Sequence, residues 1–103
     1  MKYAVVFSPE AERDIYRLYA YIAERSGDVR AIGYIGRIEA ACRGLDTLLE
    51  RGVLRNDLRP GVRTIGFEHR VTIAFQVEAV RVTILRILYG GRDIARAFRP
   101  FRR

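Results

Sequence analysis

The sequence predicts an α+β domain: a helical hairpin packed on one face of a small, mainly antiparallel sheet, in the order β-α-α-β-β-β with a short basic C-terminal tail. Two runs dense in Val, Ile, Phe and Thr, His69 to Val77 and Val80 to Tyr89, are parted only by Glu78 and Ala79, the mark of a β-hairpin. A weaker run, Val62 to Phe67, stands before them. Two stripes of apolar residues at three- and four-residue spacing fill the N-terminal half and supply the helices.

Lys2 to Phe7 reads as a first strand. Ser8 then offers an N-cap, Pro9 a residue suited to the first helical position, and Glu10, Glu12 and Asp14 an acidic beginning that favours a helix N-terminus. Ala11, Ile15, Leu18 and Ile22 form the buried stripe of this helix, which ends at Ser26-Gly27. Asp28 caps a second helix whose seam runs through Ala31, Ile35, Ile38, Cys42, Leu45 and Leu49 and stops before Gly52. Gly33 and Gly36 inside it each cost about 1 kcal/mol against alanine, so close helix contact is expected there, or else a groove opening to a partner.

Val53 to Pro60 is a polar connector. In the middle β-run Val71, Ile73, Phe75 and Val77 alternate with Arg70, Thr72, Ala74 and Gln76, so one face is apolar and the other mostly polar. Arg70 is thereby expected on the side the helices leave open, near Arg63 of the preceding strand. The last run is apolar on both faces apart from Arg81 and Arg86, which suits a strand inside the sheet. Arg86 must then snorkel to an edge or line a site. Gly90-Gly91 ends the ladder, and Pro100 stops any helix in the tail.

At 103 residues this is one domain, able to bury roughly 65% of its unfolded surface. A single cysteine, Cys42, forms no internal disulfide and reads as a core residue. No Cys/His cluster offers metal spacing, so neither metal nor cofactor is expected. No apolar run is long enough for a signal peptide or a membrane span, and a cytoplasmic location follows as an expectation. Residues 1–52 carry eight basic and eight acidic side chains; residues 53–103 carry eleven arginines against Asp57, Glu68, Glu78 and Asp93, and so hold the whole net charge of +7. Such a half attracts an acidic partner, nucleic acid or protein.

The lone histidine, His69, has no Cys or Ser partner for a relay and reads as a turn residue. Gly90-Gly91 lacks the lysine and spacing of a phosphate loop. Arginine chemistry remains: Arg63, Arg70, Arg86, Arg92 and Arg96 belong to the sheet and its C-terminal edge, where guanidinium forks would hold phosphate or carboxylate. They form the candidate target-binding set.

The opening SPEAERDIYRLYAYIAE, with Ala11, Asp14, Tyr19 and Ile22, and the later LRPGVRTIGFEHRVTIAFQVEAVRVTILRILYGGRDI, with Gly61-x-Arg63, Arg70 and the ILRILYGGRD ending, resemble the ParE branch of the ParE/RelE toxin superfamily over nearly the whole chain. The resemblance implies the toxin half of a type II toxin–antitoxin pair. ParE-type members inhibit DNA gyrase, and RelE-type members cut mRNA on the ribosome. RelE-type enzymes use basic strand residues, an arginine after the last strand and often a terminal tyrosine. Arg63, Arg70 and Arg92 resemble those basic positions and are the catalytic candidates under that alternative. Six residues after Arg92, however, stands Phe98, which has no ionisable hydroxyl, and the strand lysines are absent. Acid–base steps typically give about 10² to 10⁴-fold, so their loss favours a binding toxin without catalytic residues. The resemblance further implies a cognate antitoxin that wraps an acidic segment over the toxin, with Tyr16, Tyr19 and Tyr34 as anchors. A non-toxic binding module is the blander alternative.

Overall fold

Why the chain turns where it does is visible first at Ser8. In a computed structural model describing residues 3–47, 51–90 and 94–98, strand β1 (Ala4–Phe7) runs into helix α1 (Pro9–Ser26). The Ser8 hydroxyl accepts from the Ala11 N–H at 3.0 Å and donates to the Leu85 carbonyl at 2.9 Å, so one side chain both caps the helix and ties it to the sheet. Gly27, at φ 90°, makes the sharp turn into α2 (Asp28–Arg43). The second helix is shorter than the periodicity suggests: its last turn tightens into a 3-10 turn at Gly44–Asp46 that still buries Leu45, and Leu49 lies outside the described residues.

The sheet has five strands in the order β1-β5-β4-β3-β2, comprising β2 (Val53–Leu54), β3 (Val62–Phe67), β4 (Val71–Val77) and β5 (Arg81–Tyr89). β1 pairs with β5 in parallel and every other pairing is antiparallel. The expected connector therefore contains a short edge strand. Gly52 permits it, since a side chain at that position would collide with the Thr64 carbonyl. A helical turn, α3 (Ile94–Ala97), follows β5 where no helix was expected.

The helices cover one face. Leu18, Ile35, Ile38, Cys42, Leu45, Val71, Ile73, Phe75, Val82, Ile84 and Ile87 form one buried cluster, as the two helical stripes and the alternation of β4 foretell. The other face is not left open. Val62, Ala74 and Phe98 form a second cluster with Leu58, Leu85, Ile94 and Ala97 around it, so the tail folds back over the sheet. Burying the Phe98 ring on that face stabilises the arrangement by roughly 2 kcal/mol.

A bulge divides β5. Phe75 pairs with Ile84 but Ala74 with Arg86, which leaves Leu85 as the extra residue. β1 pairs β5 only as far as Ile84, so the following stretch of that edge needs another partner for its backbone. Asp14 of α1 supplies it. Its carboxylate accepts from the Ile87 N–H at 2.8 Å and holds the Arg86 guanidinium bidentately at 2.8 and 3.0 Å.

Candidate functional site

Of the five arginines expected to bind a target, Arg63, Arg70, Arg86 and Arg96 lie among the described residues, and the structure does not gather them into one face. Arg86 is committed inside the fold: beside its two bonds to Asp14, it donates to the Ala97 carbonyl at 3.4 Å, and the Asp14 side chain is only 3% exposed. The Asp14 carboxylate, reached by those guanidinium bonds, raises the Arg86 pKa further. This corrects its place in a docking face, because the side chain is only 21% exposed and three of its guanidinium N–H groups are already taken by Asp14 and Ala97.

Arg70 also lies elsewhere than expected. β4 begins at Val71, so Arg70 belongs to the turn, where strand alternation no longer dictates direction. Glu68 and His69 take φ values of 51° and 60°, an uncommon left-handed pair for residues other than glycine. Arg70 is exposed and lines a groove on the helix side of the molecule. Arg63 pairs in register with Phe75 of the helix-side core and donates to the Arg51 carbonyl at 3.5 Å. Roughly 13 Å of strand separates it from the turn end of the hairpin, so Arg63 and Arg70 do not meet. Arg96 is exposed on α3, and Arg92 lies outside the described residues.

The groove that receives Arg70 has a volume of about 710 Å³. The end of α1 contributes Tyr21, Ile22 and Arg25; α2 contributes Val29, Arg30, Gly33, Tyr34 and Arg37; the β3–β4 turn contributes Arg70 and β5 contributes Tyr89. Four guanidinium groups thus converge from three elements. Arg37 is held by Glu68 at 3.0 and 3.1 Å, and Arg25 lies 3.9 Å over the Tyr21 ring. Among the described residues, Arg30 and Arg70 have no ion pair. At the back of the groove the Tyr34 ring lies 6.0 Å from Phe67 and edge-on to Tyr89 at 6.5 Å. Its hydroxyl is buried without a hydrogen-bond partner, and burial, ahead of the nearby Tyr89 and Glu68, raises its pKa.

The other two expected anchors sit apart from it. Tyr16 is 75% exposed and Tyr19 half-buried, and with Phe7, Ile15, Ile35, Glu12, Glu39 and Arg43 they line a second depression of about 400 Å³. Burial first, then the Asp28 carboxylate, raises the Tyr19 pKa. Gly33 and Gly36 correct the expectation of close helix contact: both face open space, with no atom within 4 Å of where a Cβ would stand. Gly33 instead opens the groove.

The chemistry this surface offers is electrostatic. Among the described residues, no group of three His, Cys, Asp or Glu side chains could hold a metal ion. Burial pushes the Cys42 thiol up to about 12, which keeps it protonated and inert at neutral pH. His69 is exposed in its turn. No helix of the described residues is long and apolar enough to cross a membrane. Phe98 is 8% exposed in the second cluster, with the Arg59 guanidinium 5.1 Å over its ring.

Residues 5–94 match the family described as the ParE toxin of type II toxin-antitoxin systems, parDE. The chain belongs to the ParE toxin family. A curated relative, Toxin ParE3 of Caulobacter vibrioides, is 32% identical over 82 residues, which span 80% of this chain and 81% of that one. Two solved structures share the fold. The chromosomal ParDE toxin–antitoxin system from P. aeruginosa superposes with a TM-score of 0.76 at 23% identity, covering 86% of this chain and 97% of that one. The toxin–antitoxin complex RelBE2 from Mycobacterium tuberculosis superposes with a TM-score of 0.64 at 20% identity, covering 89% and 95%. This ParE-family member is thus a toxin of a type II toxin–antitoxin system on the α+β fold that its sequence predicts.

Sequence reasoning missed two features here. Asp14 was legible as an acid near a helix N-terminus and as part of the first-helix resemblance, but not as the partner of Arg86, because nothing local marks a partner 72 residues away. Glu68 was legible only as a charge in a turn.

Proposed function

We propose that this ParE-family toxin acts by binding, that it inhibits DNA gyrase, and that a cognate antitoxin neutralises it. The observation that carries the reading is the family match over residues 5–94. Phe98 supports it: an apolar ring packed against Val62 and Ala74 passes no proton. In this reading Arg63, Arg92 and Arg96 are the target contacts that remain, with Arg86 kept for the fold and Arg70 for the groove. The depression at Tyr16 and Tyr19 takes apolar side chains of the antitoxin, since ring surface with a polar tip suits an interface.

The test is a supercoiling assay with purified gyrase. Rising toxin is expected to inhibit supercoiling and to accumulate cleaved DNA–gyrase complexes; unchanged supercoiling at toxin excess overturns the proposal. The ribonuclease alternative, ribosome-dependent mRNA cleavage with Arg63, Arg70 and Arg92 around the scissile phosphate, draws support from the fold shared with the RelBE2 complex. The separation of Arg63 from Arg70 along the β3–β4 hairpin weighs against it, because both would have to reach one phosphate. Cleavage of ribosome-bound mRNA that is lost in Arg70→Ala would restore that reading. Expression that leaves growth unaffected would favour a non-toxic binding module instead.

A further inference from the structure

The β3–β4 turn is held in a conformation that its own residues disfavour. The Arg70 N–H donates to the Phe67 carbonyl at 3.1 Å, which makes Glu68 and His69 the two central residues of a tight turn, and both take left-handed φ values, 51° and 60°. Turns of this kind are dominated by Gly, Asn and Asp, because other side chains crowd the following carbonyl there. Such backbone persists only where its surroundings impose it. Here α2 imposes it: Arg37 grips the Glu68 carboxylate in bidentate geometry at 3.0 and 3.1 Å. The β4–β5 turn shows the contrast, since Arg81 holds Glu78 at 2.7 Å there and no residue of that turn takes a positive φ.

A second unfavourable feature lies under the same corner. The Tyr34 hydroxyl is buried with no hydrogen-bond partner. Its ring packs against Phe67 and Tyr89, at 6.0 and 6.5 Å between centroids, and lies under the Arg37 guanidinium at 5.2 Å. Water reaches that hydroxyl only when this packing moves. Against both features stands an ion pair whose side chains are 56% and 43% exposed, and pairs of that kind contribute little in water.

We propose that the turn is a latch between two states. In the closed state Arg37 holds Glu68 and the Tyr34 hydroxyl is sealed; in the open state the carboxylate is released, the backbone of residues 68 and 69 relaxes and the hydroxyl is hydrated. The two lie close in free energy, because opening gives up an exposed pair and a ring contact and relieves both unfavourable features. What the latch controls is Arg70. Its side chain lines the groove because the turn carries it there, outside the alternation of β4, so opening moves one of the four guanidinium groups of the groove. The device does not depend on which target the toxin meets.

The test is amide hydrogen exchange on the full chain, followed at Arg70, whose N–H closes the turn, and at Gly90, whose N–H donates to the Arg70 carbonyl at 2.7 Å. Arg37→Gln alters no sequence neighbour of either amide and is expected to speed exchange at both by about threefold or more. The Ile87 amide, held by the buried Asp14 carboxylate, is expected to stay within about twofold. Arg30→Gln removes the same charge from the same groove at a residue with no ion pair among the described residues, and is expected to leave all three amides within about twofold. Two further variants read the strain. His69→Gly keeps the ion pair and admits the left-handed backbone, while Tyr34→Phe removes the orphaned hydroxyl, and each is expected to raise the thermal midpoint by about 2 to 5 °C. Arg37→Gln amides that exchange like those of the wild type or of Arg30→Gln overturn the latch. A midpoint that stays level or falls in either His69→Gly or Tyr34→Phe overturns the stored strain, and the two-state reading with it.

Discussion

Two bidentate arginine–carboxylate pairs in this molecule have the same chemistry and opposite consequences. Asp14–Arg86 joins side chains that are 3% and 21% exposed, and the carboxylate also accepts a strand N–H. Arg37–Glu68 joins side chains that are 56% and 43% exposed, on the rim of a groove with further arginines close by. The first pair closes an edge of β5 that β1 leaves unpaired, and removing Asp14 strands both a charge and a backbone donor. The second is screened by water, holds a turn in place and remains exchangeable. Burial and the number of satisfied atoms, more than the ion pair itself, decide which arginine belongs to the fold and which to a partner.

Breaking the buried pair gives the largest effect. Asp14→Ala should destabilise by about 3 to 5 kcal/mol in urea unfolding, since Arg86 and the Ile87 N–H both lose their acceptor. An effect under about 1 kcal/mol would put the two pairs in one class. Leu45→Ala, a packing change that touches neither pair, should cost about 2 to 5 kcal/mol and sets the scale for this core, where Leu45 is 1% exposed. A near-neutral result would mean that the 3-10 turn after α2 adds little to folding.

Smaller changes sharpen the groove side of the comparison. Gly36→Ala should stabilise the free toxin by up to about 1 kcal/mol, read as a raised thermal midpoint, because its Cβ meets no atom and alanine favours the helix. Glu68→Gln should leave stability at neutral pH little changed, since water screens the exposed pair. Its signature is in acid. Hydrogen bonds from Arg37 hold the Glu68 pKa below its ordinary value, and Arg81 and Arg55 do the same for Glu78 and Asp57. Depressed carboxylates contribute stability that is present above their unfolded pKa and lost as pH falls through the folded one. Unfolding free energy should therefore be level near neutrality and fall below about pH 4.3, less steeply in Glu68→Gln. An identical acid profile in the variant would show that the exposed pair does not form.

Most of the architecture was legible because its signals are local and periodic. The stripe Ala11, Ile15, Leu18, Ile22 and the seam Ala31, Ile35, Ile38, Cys42 demand a helix face, and Val71, Ile73, Phe75 demand a strand face, whatever they pack against. Two-residue β2 was not legible, since Val53 and Leu54 are too few to show a period. The position of Arg70 was misread for a related reason: alternation holds inside a strand, and β4 starts one residue later.

The sequence by itself determined the helical hairpin, the strand order in the chain, the asymmetry of charge and the family resemblance, all of which depend on neighbours within a few residues or on composition. Tertiary structure alone decided which arginines are spoken for. Arg86 and Arg70 look alike in the chain, but Asp14 stands 72 residues from one and reaches it, while the other is left at a groove with an unpartnered tyrosine hydroxyl. Pairing across such distances is set by how the helices lie on the sheet, and no local pattern encodes it.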